Sequence, residues 1–206
     1  QTETFQEVPA PDEGKQGGIV ALRALDNGSM WLLTEHDGGF RVADGRTTAI
    51  GQGKQIHDVF LDSKGMEWVL TDNGLLRVHP ATGHATSYFI QTGSGDPNHQ
   101  AFFSVVETDG QLFFGSVKGR VWMYSLQKEL FELCETPLKD DVVAICDTGN
   151  GVQAVITATQ GLQMGQLGKE KLEIIPTPTS FDFSKYPIRQ VYADREKEIW
   201  MNVGKE

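Results

Sequence analysis

Positive charge is scarce in this chain: 18 lysines and arginines stand against 28 aspartates and glutamates, for a formal net charge of −10 and a pI near 4.9. Nucleic acid and anionic membrane surfaces both reward clustered cations, so neither is expected as a partner of this region, and no membrane contact is expected within the chain. Long apolar runs are missing as well. None approaches the roughly 20 residues that cross a bilayer as a helix. No charged-then-apolar leader precedes Gln1, so the chain reads as soluble with any leader already removed. Cysteine is limited to Cys134 and Cys146. They fall in an outer and an inner predicted strand of adjacent repeats, too far apart for the Cα separation of a disulfide, and are expected as buried free thiols. His-Glu-x-x-His, Cys-x-x-Cys, Gly-x-Ser-x-Gly and phosphate-loop patterns are absent from the sequence, so no catalytic residue, metal or cofactor is assigned. Helical periodicity is missing throughout.

What the chain has is repetition. An apolar run, an acidic turn, an aromatic strand ending in a small hydroxyl residue, a glycine and a second apolar strand recur about every forty residues. The pattern is plainest from Asp26 through Val42 and from Asp62 through Val78. Taking the aromatic of the second strand as a ruler gives Trp31, Trp68, Phe113, Val155 and Trp200, separated by 37, 45, 42 and 45 residues. Four short strands with their turns need about that length, which predicts an all-β fold: an incomplete β-propeller of about four and a half four-stranded blades. The boundaries follow the polar outer strands. A lead-in covers 1–18, and blades cover 19–55, 56–100, 101–137 and 138–187, with a fifth begun at 188–206. Because the fifth stops inside a repeat, the chain reads as a fragment of a longer protein.

The first strand of each repeat is nearly all apolar, as in Val142-Val143-Ala144-Ile145-Cys146, which predicts strands buried on both faces. The acidic turns are hairpin chemistry, since Asp, Asn and Gly accept positive φ or cap their own backbone. Their carboxylates therefore read as structural. So do the in-phase indoles Trp31, Trp68 and Trp200, whereas Trp122 is out of phase and is kept as a contact residue. The triplet Asn27-Gly28-Ser29 matches a glycosylation acceptor but is already explained by its turn.

On Asp62, Gly65, Trp68, Thr71, Asn73, Gly74, Leu75 and Arg77, and next on Asp26 through Val42, the chain resembles the two-component regulator propeller repeats of periplasmic sensor regions in Bacteroidetes hybrid histidine kinases. The third and fourth copies depart from the pattern, with Phe113, Ser116 and Gly119, then Val155, Ala158 and Gly161. The resemblance implies a seven-bladed propeller and a periplasmic location. It further implies recognition of a glycan-derived oligosaccharide, a homodimeric parent protein and a kinase lying outside this chain, so that this stretch is no enzyme itself. Two other readings stand beside it: a glycosidase-like or lyase-like propeller enzyme, and a structural propeller that binds other proteins.

Binding on such a scaffold falls to loops on one rim. Candidate ligand residues are His36 in the turn Glu35-His36-Asp37, Asn98 and His99 in the polar crossover 91–100, and His57 and Asp58 at the entry to the second inner strand. Trp122, Tyr186 and Arg189 complete the set, since an aromatic ring and a planar guanidinium suit a sugar or a uronate. Asp140 and Asp141 lie near the same rim. Solvated turns, local capping and core packing are the competing readings of these residues.

Overall fold

Turn residues at short intervals, with β-branched and aromatic residues between them, fold the chain into antiparallel sheets that follow one another along the sequence. The computed structural model describes residues 18–90, 100–149, 151–168, 171–175, 188–194, 196 and 198–204. The first sheet contains β1 (Ile19–Ala24), β2 (Met30–Thr34), β3 (Gly39–Ala43) and β4 (Arg46–Ile50). The second contains β5 (Ile56–Leu61), β6 (Glu67–Thr71), β7 (Leu75–Val78) and β8 (Ala85–Tyr88). The third contains β9 (Phe102–Thr108), β10 (Gln111–Ser116), β11 (Val121–Ser125) and β12 (Leu130–Cys134). The fourth contains β13 (Val142–Asp147), β14 (Gln153–Thr157), β15 (Gly161–Leu167) and β16 (Leu172–Ile175), and β17 (Ile188–Ala193) pairs with β18 (Ile199–Val203). The only helical segment among the described residues is a three-residue 3-10 turn, Val117–Gly119. The all-β architecture read from the repeats is present, and the array does not close into a ring.

Register repeats with the sequence. The start of each first strand lies opposite the end of the second, in the pairs Ile19 with Thr34, Ile56 with Thr71, Phe102 with Ser116, Val142 with Thr157 and Ile188 with Val203. Each pair is followed by a bulge. Thr34 and Thr71 donate their hydroxyls to the carbonyls of Gly38 and Gly74 across the next turn, at 2.9 and 2.8 Å. In the fourth sheet this register corrects the sequence ruler. Thr157, not Ala158, ends the second strand, so the residue in the indole position is Ala154, not Val155. The turn there has the four-residue spacing of Thr34 to Gly38, whereas the expectation used the three-residue spacing of Thr71 to Gly74. Gly74 and Gly119 sit at φ +90 and +71, and a Cβ would lie 2.7 Å from the Tyr88 carbonyl and 2.2 Å from the Leu138 carbonyl. Both the backbone angle and the close approach demand glycine.

Burial also departs from expectation. In the first four sheets the second strands are more buried than the first: β6 and β14 have no residue open to solvent, while in β5 and β13 only one residue in three is buried. A second strand has sheet neighbours on both edges and packed side chains on both faces. A first strand turns one side toward the centre of the array. In β1, Ile19, Val20 and Leu22 are more than half exposed. The core lies between consecutive sheets, with Trp31, Ile56, Val69 and Val78 packed between the first and second, Trp68, Phe102, Phe114 and Tyr124 between the second and third, and Phe113, Met123, Val142 and Val155 between the third and fourth.

One polar group joins the first two sheets. Glu67 has no exposed surface, and its two oxygens accept from Arg41 Nε and Nη2 at 2.7 and 2.8 Å. They also accept from Asn27 Nδ2, the Ser29 hydroxyl and Trp31 Nε1 at 2.8, 2.9 and 3.0 Å. In the second and fifth sheets the turn aspartate holds its own indole: Trp68 Nε1 donates to Asp62 and Trp200 Nε1 to Asp194, each at 2.8 Å. Trp200 is 61% exposed, where Trp31 and Trp68 are fully covered by a following sheet.

Burial pushes the Glu67 carboxyl up, but the hydrogen bonds from Arg41, Asn27 and Ser29 and the charge of Arg41 outweigh it and hold it below the usual range. Glu67→Ala leaves Arg41 buried and unpaired and is expected to cost about 3–5 kcal/mol in urea unfolding. The folded-state value lies below the unfolded one, so Glu67 stabilises fully above roughly pH 4.3 and loses that contribution as pH falls through its folded value. Glu67→Gln flattens this acid limb of the stability profile.

Candidate functional site

The first strands gather around a channel of about 640 Å³. Arg23 from β1 and His57, Asp58 and Phe60 from β5 line one wall, and Phe103 and Ser104 from β9 adjoin them. Aliphatic residues of β13 and β17, among them Val143, Ala144 and Val191, complete the lining. The bulge between Ile56 and Asp58 explains why two successive residues of β5 both reach the channel: a regular pleat would turn one of them away.

Asp58 Oδ1 accepts from Arg23 Nε at 2.7 Å, joining β1 to β5, and Arg23 Nη1 donates to the Leu22 carbonyl at 3.1 Å. Both side chains of the pair keep more than a third of their surface open, 38% and 37%. The His57 ring lies 4.9 Å from the Phe103 ring at 54°. Its Nε2 and the Ser104 hydroxyl are buried without a hydrogen-bond partner. An unmet buried polar group costs about 1–3 kcal/mol, so this wall holds unused hydrogen-bonding capacity. Burial lowers the affinity of His57 for a proton, against the opposing charges of Asp72 and Asp58. Burial also raises the Cys146 thiol, which lines the channel, and raises buried Cys134 to about 11. Both cysteines are free, as expected.

Of the residues proposed from sequence, His57 and Asp58 are brought together on the channel wall. His36 is exposed in its turn, 3.5 Å from Glu35, and does not line the channel. Trp122 is buried, lying opposite Phe114 and Leu133 in the core between the second and third sheets. Asn98, His99 and Tyr186 lie outside the described residues. Arg189 is on β17, its side chain outside them. Asp140 and Asp141 cap backbone, accepting from Thr159 N–H and, for Asp141, from Lys118 N–H at 2.8 Å. Sequence reasoning missed Arg23, Phe103 and Ser104. Their signal was present as polar or aromatic residues interrupting the apolar first strands, a pattern read there as core.

Among the described residues, no group of three His, Cys, Asp or Glu could hold a metal ion, and no helix is long and apolar enough to cross a membrane. No protein-family model and no curated protein matches the chain. Solved structures do. The extracellular domain of a putative hybrid two-component system from B. thetaiotaomicron superimposes with a TM-score of 0.71 at 18% identity, over 95% of this chain and 27% of that one. YCF48 from Cyanidioschyzon merolae matches with a TM-score of 0.64 at 10% identity, over 96% and 67%. An auxiliary nutrient binding protein from Bacteroides thetaiotaomicron VPI-5482 matches at 0.62 and 11%, over 92% and 53%. The fold is a β-propeller. The chain spans about a quarter of the length of the two-component domain it overlays, and the channel is the central channel of the propeller, bordered here by the first strand of five consecutive blades.

In this propeller His57 is expected to titrate below the ordinary histidine value of about 6.5 in a histidine-selective NMR pH series. Its neutral form contributes stability above that value, lost progressively as pH falls from the unfolded pKa through the lowered folded one. His57→Phe is expected to remove this part of the pH profile.

Proposed function

We propose that the chain is part of the extracytoplasmic ligand-sensing propeller of a hybrid two-component regulator, recognising a glycan-derived oligosaccharide and passing the signal to a kinase elsewhere in the same protein. One observation carries the reading: 95% of the chain overlays the extracellular domain of a putative hybrid two-component system; the resemblance of the repeat from Asp62 to Val78 to propellers of such sensors supports it. The overlay with an auxiliary nutrient binding protein supports a ligand of nutritional origin.

The allocation of carboxylates agrees with binding instead of glycoside hydrolysis. Glu67 and Asp62 are engaged with Arg41 and Trp68, and of the carboxylates along the channel Asp58 is paired with Arg23, Asp147 accepts from the Gly149 N–H and Asp194 holds the Trp200 indole. A glycosidase needs a pair of carboxyl groups converging on one bond. A sensor needs only differential affinity between two conformations, and roughly 5.5 kcal/mol moves an equilibrium from mostly off to mostly on. Two propellers in a homodimer of the parent protein share that requirement, and a periplasmic location gives access to the ligand.

A thermal-shift screen of the chain against neutral and acidic glycan oligosaccharides tests the reading. A cognate ligand at a hundred times its dissociation constant stabilises by about 2.7 kcal/mol, which raises the midpoint by roughly 5–10 °C in a domain of this size. No shift with any glycan, together with turnover of a glycoside or a cyclic peptide, would replace sensing with catalysis.

A further inference from the structure

We infer that the central channel, not the loop rim, is where this propeller takes its sugar, and that the channel is built for a neutral sugar end and rejects a uronate. The inference rests on the sensing reading above and deepens it.

Three observations carry it. The first is the division of the walls. Arg23 and Asp58 present a donor and an acceptor side by side, each more than a third open, while Val143, Ala144 and Val191 add an aliphatic surface and Phe103 an aromatic one beside His57. A pyranose has the same division, with hydroxyls that both donate and accept around its edge and C–H groups on its faces. The cavity, at about 640 Å³, lies within the usual range of small-molecule sites.

The second is charge. Among the described residues, one guanidinium, Arg23, lines the channel beside three carboxylates, Asp58, Asp147 and Asp194. Arg23 already gives its Nε to Asp58 and its Nη1 to the Leu22 carbonyl. A uronate would enter a space of its own sign and find the bidentate face of the guanidinium occupied. A neutral sugar meets neither obstacle. The whole chain, at −10, adds to the repulsion.

The third is unused capacity at the wall. Two buried polar atoms here lack a partner, the Ser104 hydroxyl, on a side chain 7% exposed, and the His57 Nε2 nitrogen. A sugar hydroxyl reached by a small rotamer change would satisfy either.

Cys146 lines the channel and Cys134 is buried outside it, so the chain carries its own location probe. The chain is alkylated with iodoacetamide in the presence of neutral oligosaccharides and of oligogalacturonates of matched length, with the modified peptides quantified by mass spectrometry. Expected is a neutral oligosaccharide that raises the melting midpoint and slows Cys146 alkylation about tenfold while Cys134 is unaffected. Uronates are expected to bind about tenfold more weakly at low salt, with the gap narrowing as salt rises. Asp58→Asn, which frees Arg23, is expected to close that gap by about tenfold, and Ala144→Trp, which fills the channel, to abolish binding. A midpoint shift without protection of Cys146, or unchanged affinity in Ala144→Trp, overturns the channel and leaves sensing standing. Uronates that bind as tightly as neutral sugars overturn the charge argument. No shift with any glycan removes the sensing reading itself, and this inference with it.

Discussion

A carboxylate without exposed surface can persist in a protein interior only if every oxygen lone pair is used. Glu67 meets that condition with five hydrogen bonds from four residues, three of them in the neighbouring sheet's turn and second strand and one, Arg41, in its third strand. Because all four donors belong to the first blade and Glu67 to the second, the network fixes how one sheet is set against the next. Apolar packing alone tolerates sliding, since dispersion has little direction. A bidentate Arg–carboxylate pair does not. The equivalent arginine of the second blade, Arg77, makes a softer version of the contact. It lies over the Trp68 and Tyr124 rings at 5.5 and 5.9 Å and donates to exposed Glu129 at 3.0 Å. The same strand position is thus an ionic anchor between blades one and two and a cation–π contact between blades two and three.

The division of labour among strands follows from this arrangement. Second strands carry the packing, so their side chains are mostly apolar on both faces, and in the first two blades a terminal threonine hydroxyl closes the next turn. First strands need only pair along one edge, and their inner side is free to carry Arg23, His57, Asp58 and Ser104. The bulge that follows the opening residue of every first strand sharpens the local twist and re-aims the residue beside it. Binding chemistry is therefore compatible with the fold at the one place where the repeat does not require an apolar side chain.

Much of the fold could be read from the chain because its signals are local. Turn glycines, acidic hairpins and the aromatic-to-hydroxyl strand recur in phase, and they fix four-stranded sheets in sequence order. Two things escaped. The slip from Ala154 to Val155 arose because a turn one residue longer shifts the ruler, and alanine gives no aromatic mark to correct it. The first strands were read as doubly buried because a run such as Val142 to Cys146 looks the same whether its second face meets a neighbouring sheet or a central space. The site was legible in part. His57 and Asp58 interrupt an apolar run with polar groups, but Arg23 is recognisable as a channel residue only once β1 and β5 are set side by side, a relation between blades that no local pattern encodes.

Ala154 has a further consequence. Trp31, Trp68 and Phe113 each put a large ring into the contact with the following blade, whereas the fourth blade offers a single methyl at that position. Stacked repeats hold together link by link, each joined only to its neighbours. The contacts between blades are accordingly unequal along the chain: an ionic clasp at Glu67 joins the first two, while at the indole position the fourth has only a methyl to give.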